Sequence, residues 1–91
     1  MPKIYTTLKL MNGDDVTIDE VNGGSYFQAA LMAGHENVGN ASILSLYLMA
    51  VVVRKNGDSV GIHYIKEIGM NDLSLITEAI LSQTVNVKGN G

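Results

Sequence analysis

The chain has 91 residues, enough for one domain, with 46% hydrophobic and 16% charged residues and a formal net charge of −3. That balance is globular rather than disordered, and its acidic surplus excludes general nucleic-acid binding, which rests on cationic contacts to phosphate. The absence of cysteine excludes disulfides, thiolate catalysis and cysteine zinc sites, and leaves the redox compartment open.

The N-terminal segment MPKIYTTLKL alternates almost at once and has no apolar core of signal-peptide length. A cytosolic protein is therefore expected. Residues 4 to 10 set Ile4, Thr6, Leu8 and Leu10 against Tyr5, Thr7 and Lys9, the period of a half-buried strand. Asn12-Gly13 supplies the turn dipeptide. Val16, Ile18 and Glu20 then alternate with Thr17, Asp19 and Val21, so residues 3–21 read as a β-hairpin. Asp14, Asp15, Asp19 and Glu20 make its second strand acidic, and the reading places that strand at a sheet edge, where charge discourages aggregation.

Asn22-Gly23-Gly24 breaks the alternation. Ser25 stands three residues before Gln28, a capping-box spacing that predicts a helix over about 26–33 with Phe27, Ala30 and Leu31 on one face. Gly34 to Gly39 interrupts it, and Asn40 caps the next helix. That helix is the run Ala41 to Val53, apolar except for Ser42 and Ser45 and ended by Arg54-Lys55-Asn56-Gly57-Asp58. It is shorter than the roughly 20 residues that span a bilayer, so no membrane segment is expected. Its β-branched end, Val51-Val52-Val53, also suits a strand pairing with Val60, Ile62 and Tyr64 across Asn56-Gly57. The leucines and the length favour helix, over about 41–55. His63 to Ile68 reads as a helical turn ended by Gly69. A closing helix follows over about 72–84, with Leu73, Ile76, Ala79 and Ile80 inward and Glu78 and Gln83 outward. Residues 85–91 read as a flexible tail. The fold class is α+β: one domain over 1–84, an N-terminal hairpin packed on three to four helices.

Catalytic patterns are missing. His35 and His63 have no carboxylate at a ligand spacing, and Gly39 stands where a zinc-protease motif starting at His35-Glu36 needs its second histidine. None of the serines lies in a Gly-x-Ser-x-Gly turn, and Asp14-Asp15 point to opposite faces of a hairpin. No enzyme, metal or cofactor is expected, although a site assembled on His63 and a carboxylate stands as the least favoured reading. The methionines Met11, Met32, Met49 and Met70 suit either gap-filling in an aromatic-poor core or an adaptable binding surface. A helix apolar on every side needs more cover than a small domain supplies. Ile43, Leu44, Tyr47, Ala50 and Val51 are expected to pack inward. Leu48, Met49 and Val52, with Phe27 and Leu31, are expected to meet another chain.

In order, a strand pair, a small helix, an apolar helix, the turn Asn56-Gly57-Asp58-x-Val60, the stretch Tyr64 to Leu73 and the element Leu75 to Ile80 resemble the small tail assembly chaperones of long-tailed bacteriophages and prophages. Gly57, Val60, Ile65, Ile68, Asp72, Leu73, Ile76 and Ile80 carry the resemblance, which covers roughly residues 10 to 82. Gly23-Gly24 stands where the family commonly has a proline. The resemblance implies a non-catalytic protein of the host bacterial cytoplasm. Its client would be the helical tape-measure protein, kept soluble until tail-tube subunits assemble around it. The alternative is a structural phage protein forming a homo-oligomer through the 41–53 helix.

Overall fold

The computed structural model describes residues 3–37 and 39–90, leaving aside the side chains of His35 and of residues 84–90. The architecture is α+β: a four-stranded antiparallel sheet in the order β1-β2-β3-β4, with four helices. The hairpin of β1 (Ile4–Lys9) and β2 (Asp15–Asp19) forms as the alternation predicts. Its tip spans residues 10–14, closed by the Leu10 amide on the Asp14 carbonyl (2.8 Å), with Gly13 at φ +96. The Asn12 side chain accepts from the Asp14 amide at 2.9 Å, so an Asx turn rather than a two-residue loop shapes the tip. The register shifts between Ile4 and Thr6. Such a bulge interrupts strict alternation: Ile4 is exposed, and the Tyr5 hydroxyl meets Ser82 Oγ at 3.0 Å.

Helix α1 (Gly23–Ala33) starts three residues before the position expected. The capping box is Asn22 with Ser25, not Ser25 with Gln28. Asn22 Oδ1 accepts from the Ser25 amide and Ser25 Oγ accepts from the Asn22 amide, both at 3.0 Å. Gly34, at φ +96, ends the helix, and a single 3-10 turn (His35–Asn37) follows. Helix α2 (Ala41–Val52) begins as read, with Asn40 Oδ1 accepting from the Ile43 amide at 3.2 Å.

The end of α2 is corrected. The chain leaves the helix after Val52, and β3 (Val53–Lys55) pairs with β4 (Asp58–Ser59) across Asn56-Gly57. Both turn residues have positive φ (56 and 88), the type I′ geometry that Asn-Gly adopts most readily. Local propensity had favoured helix to about 55. Tertiary pairing decided otherwise, because Val53 and Arg54 lie opposite Ile18 and Thr17 of β2. The second hairpin left open by the sequence forms around Asn56-Gly57, but more tightly than read: Val51 and Val52 stay helical, and Ile62 and Tyr64 fall in the next helix rather than in its second strand.

The same pairing corrects the place of β2, an interior strand and not an acidic edge. Its carboxylates are answered by cations on both flanking strands: Lys9 lies 3.5 Å from Asp15, Arg54 Nε 2.8 Å from Asp19, and Lys55 3.1 Å from Asp14. Arg54 and Lys55 therefore serve the sheet and do not cap a helix end.

Helix α3 (Gly61–Glu67) leads into α4 (Met70–Asn90), whose helical backbone passes the end expected near residue 84. Ile76 and Ala79 face inward as read, but Gln83 does not face outward: it accepts from the Val21 amide (2.8 Å) and donates to the Asp19 carbonyl (3.0 Å). At the other end, the buried Asp72 carboxylate accepts from the Met11 and Asn12 amides at 2.6 and 3.2 Å. Polar clamps thus hold α4 at both ends of the first hairpin. Between them lies a core of Leu10, Val16, Ile18, Val52, Val53, Ile65 and Ile76.

Candidate functional site

Helix α1 packs on α2 through its smallest residues. Ala29 and Ala33, one turn apart, are its buried positions, which lets the two helices approach closely. The consequence falls on the opposite side. Phe27 and Leu31, also one turn apart, are 65% and 66% exposed, and Tyr26 and Met32 flank them, also exposed. Hydrophobic residues isolated on a surface need no explanation; Phe27 and Leu31 make an exposed apolar pair on the outer side of α1, while Tyr26 and Met32 are exposed on its two flanks, nearer the buried alanines.

Of the five expected contact residues, the structure therefore presents Phe27 and Leu31. Leu48 is half-buried and lines a cleft of about 80 Å³ between α2 and α4 with Ser45, Met49, Thr77, Ile80 and Leu81. Met49 and Val52 are corrected: they are 6% and 0% exposed and belong to the protein's own core. The reason lies in the second hairpin. Turning the chain at Val53 brings the sheet, α3 and α4 around the second half of the apolar run, so one chain covers it. Of that run, Ala41, Ser42 and Ser45 are exposed, Ile43, Leu46, Tyr47 and Leu48 are half-buried, and Met49 to Val53 are buried. Met32 was legible only as one of four methionines suited to a core or to a binding surface, and Tyr26 was not singled out. The alanine pair marks the side of α1 that fits against another helix, and so the opposite side on which Phe27 and Leu31 lie.

Three polar features complete the surface. At the hairpin tip the Tyr64 hydroxyl donates to Asp14 Oδ2 at 2.6 Å, and Asn12 donates to the Tyr64 oxygen at 3.4 Å. That hydroxyl bond, and after it Lys55, hold the Asp14 carboxyl below its ordinary 3.8. Burial, with the neighbouring Asp14 charge, pushes the Tyr64 phenol above its ordinary 10.0. Beside the start of α1 is a polar hollow of about 250 Å³ lined by Asp19, Glu20, Asn22, Ser25, Gln28, Val51 and Arg54. Asp19 is buried there, and its Oδ1 has no hydrogen-bonding partner among the described residues. An open groove of about 510 Å³ runs between β1 and α4, lined by Tyr5, Thr6, Leu8, Leu75, Glu78, Ala79 and Ser82.

Three of the serine hydroxyls are occupied structurally. Ser25 caps α1, Ser59 donates to the Val51 carbonyl at 2.8 Å, and Ser82 donates to the Ala79 carbonyl at 2.9 Å. His63 is exposed on α3 and lines none of the three hollows. The side chain of His35 lies outside the described residues. Among the described residues no group of three or more His, Asp or Glu could hold a metal ion, and no helix is long and apolar enough to cross a membrane.

No family model matches this chain, and neither does any curated protein or solved structure.

Proposed function

We propose that this chain is a non-catalytic protein-binding module that holds an amphipathic client helix against the outer face of α1. The observation that carries the reading is the exposed pair of Phe27 and Leu31 on the outer side of a helix without a single charge. An amphipathic helix laid on such a face buries its apolar anchors at i, i+3 and i+4 spacing, the helix-in-groove mode of recognition. Methionine on the rim favours adaptable contacts over one fixed partner shape.

The resemblance to tail assembly chaperones supplies the client class: the long helical tape-measure protein, with the tail-tube protein as a second partner, in the cytoplasm of a bacterial host. The matching residues Gly57, Ile65, Asp72 and Ile76 support that resemblance through their structural roles. Gly57 makes the type I′ turn, Ile65 and Ile76 fill the core, and Asp72 clamps the hairpin tip.

Co-expression with tape-measure fragments tests the proposal. The wild-type chain is expected to keep a fragment soluble and to co-purify with it, while Phe27→Asp combined with Leu31→Asp loses the complex and keeps the fold. A soluble complex that survives both substitutions would remove α1 from the binding surface. No complex with any fragment would remove the chaperone reading.

A further inference from the structure

Among the described residues, Asn56 is the only one other than glycine at positive φ (56), and Gly57 follows it at φ 88. An asparagine before a glycine is open to attack on its side-chain amide by the next backbone nitrogen, because glycine puts no side chain in the way. The chain holds four such pairs, beginning at Asn12, Asn22, Asn56 and Asn90. The side chain of Asn90 lies outside the described residues; the fold treats the other three very differently. We propose that Asn56 is a site of spontaneous deamidation, converting to aspartate and isoaspartate, while the fold protects Asn12 and Asn22.

The reaction needs only water and a base. A base takes the proton of the Gly57 amide, and that nitrogen attacks Asn56 Cγ. The side-chain nitrogen leaves as ammonia, and a succinimide ring remains. Water then opens the ring. Addition at the side-chain carbonyl gives aspartate, whereas addition at the main-chain carbonyl gives isoaspartate, with a main chain longer by one carbon. One water enters and one ammonia departs.

Ring closure requires the side chain and the following peptide to turn towards each other, so hydrogen bonds on either group slow it. At Asn12 both are held. Its Oδ1 accepts from the Asp14 amide at 2.9 Å, and its Nδ2 donates to the Tyr64 oxygen at 3.4 Å. Its own amide donates to Asp72 at 3.2 Å, and the attacking nitrogen, that of Gly13, donates to the Leu10 carbonyl at 3.0 Å. At Asn22 the capping box holds the side chain: Oδ1 accepts from the Ser25 amide at 3.0 Å, and the main-chain carbonyl accepts from the Tyr26 amide at 3.1 Å. Asn56 has neither restraint. It is exposed, its side chain has no hydrogen-bonding partner among the described residues, and the Gly57 amide donates to none of them. The type I′ turn must still open before the Gly57 nitrogen reaches Cγ. That opening is local, because β4 is two residues long at the edge of the sheet and joins β3 in the pairs Arg54–Ser59 and Lys55–Asp58. Isoaspartate at this position lengthens a two-residue turn whose ends must stay opposite each other, so β4 loses its register. None of this depends on a client helix at α1.

Peptide mapping of native protein incubated in warm, mildly alkaline buffer tests the proposal, against an unincubated sample digested in parallel. Trypsin releases residues 56–66, in which Asn56 is the only asparagine. Asn56 is expected to gain one mass unit, largely as isoaspartate, at least about tenfold faster than Asn12 or Asn22. In urea-unfolded protein the three rates are expected to converge, since local sequence alone then sets them. A rate at Asn56 no greater than at Asn12 and Asn22 in the native protein overturns the proposal. So does a ratio of rates that is the same in urea, which would make the difference a property of the local sequence and not of the fold.

Discussion

Replacing Asp72 by alanine tests how far one buried carboxylate holds the hairpin to the closing helix. Asp72 is 3% exposed and accepts from two backbone amides sixty residues away in sequence, those of Met11 and Asn12. Hydrogen bonds to a charged group contribute roughly 1.5–3 kcal/mol each. Met11 and Asn12 lie in an exposed turn, so water recovers the freed amides and each bond counts near the lower figure, about 3 kcal/mol for the pair. Removing a negative charge from the first turn of α4 adds about 0.5 kcal/mol. The expected loss of about 3.5 kcal/mol is a large share of the 5–15 kcal/mol typical of a domain. For a domain of this size it lowers the thermal midpoint by roughly 14–28 °C. Asp72→Asn retains one acceptor and should lose about half as much. Asp58→Ala, an exposed acid on β4, should change stability by less than about 0.5 kcal/mol. Urea and thermal unfolding followed by circular dichroism measure all three. A loss below about 1 kcal/mol for Asp72→Ala, or one no larger than for Asp58→Ala, would show that the clamp does not hold the two elements together.

Three further outcomes are expected. Met49→Ala should destabilise by about 3 kcal/mol through the cavity it leaves, whereas Phe27→Ala should stay within about 0.5 kcal/mol, a contrast that chemical denaturation resolves directly. Arg54→Met should lose about 3 kcal/mol, because Asp19 is then buried without its cation and the contact of Arg54 Nη1 with the Gly57 carbonyl at 3.0 Å also disappears. The Asp14 carboxyl is held below its ordinary 3.8, so its contribution to stability is fully present above that value and is lost as pH falls through the lower folded pKa. Tyr64→Phe should raise the Asp14 pKa, as read by NMR titration of its side-chain carboxyl, and an unmoved titration curve would deny the hydroxyl its role.

Much of the fold was written locally. The first hairpin, the cap at Asn40, the helical turn after His63 and the inward face of the closing helix followed from periodicity and turn chemistry. The failures have a common origin in pairing between distant segments. Val53 becomes a strand residue because Ile18 waits opposite it, and this single pairing moved β2 from edge to interior and buried Met49 and Val52. The cap of α1 was misplaced for a different reason. Asn22 and Ser25 both favour caps, and the sequence alone did not rank a Ser–Gln pair below an Asn–Ser pair. Of the candidate surface, Phe27 and Leu31 were legible as apolar residues on the expected helix, and Leu48 proved intermediate. Their outward direction was expected, but its cause, α1 using two alanines to meet α2, was not legible locally.

The order β1-β2-β3-β4 also bears on how the chain folds. Every strand pairs with its neighbour in sequence, and both hairpins close over short loops. The β2–β3 pairing alone spans a long interval, residues 20–52, which holds both uncharged helices. Closing that interval as a flexible loop carries an entropic penalty that growing α1 and α2 against each other reduces, since a folded helix pair returns the chain close to its starting point. The helices without charge then act as the splint that lets Val53 find Ile18. Slow folding is expected from substitutions at Ala29 or Ala33, while changes at Phe27 or Leu31 leave the folding rate as it was.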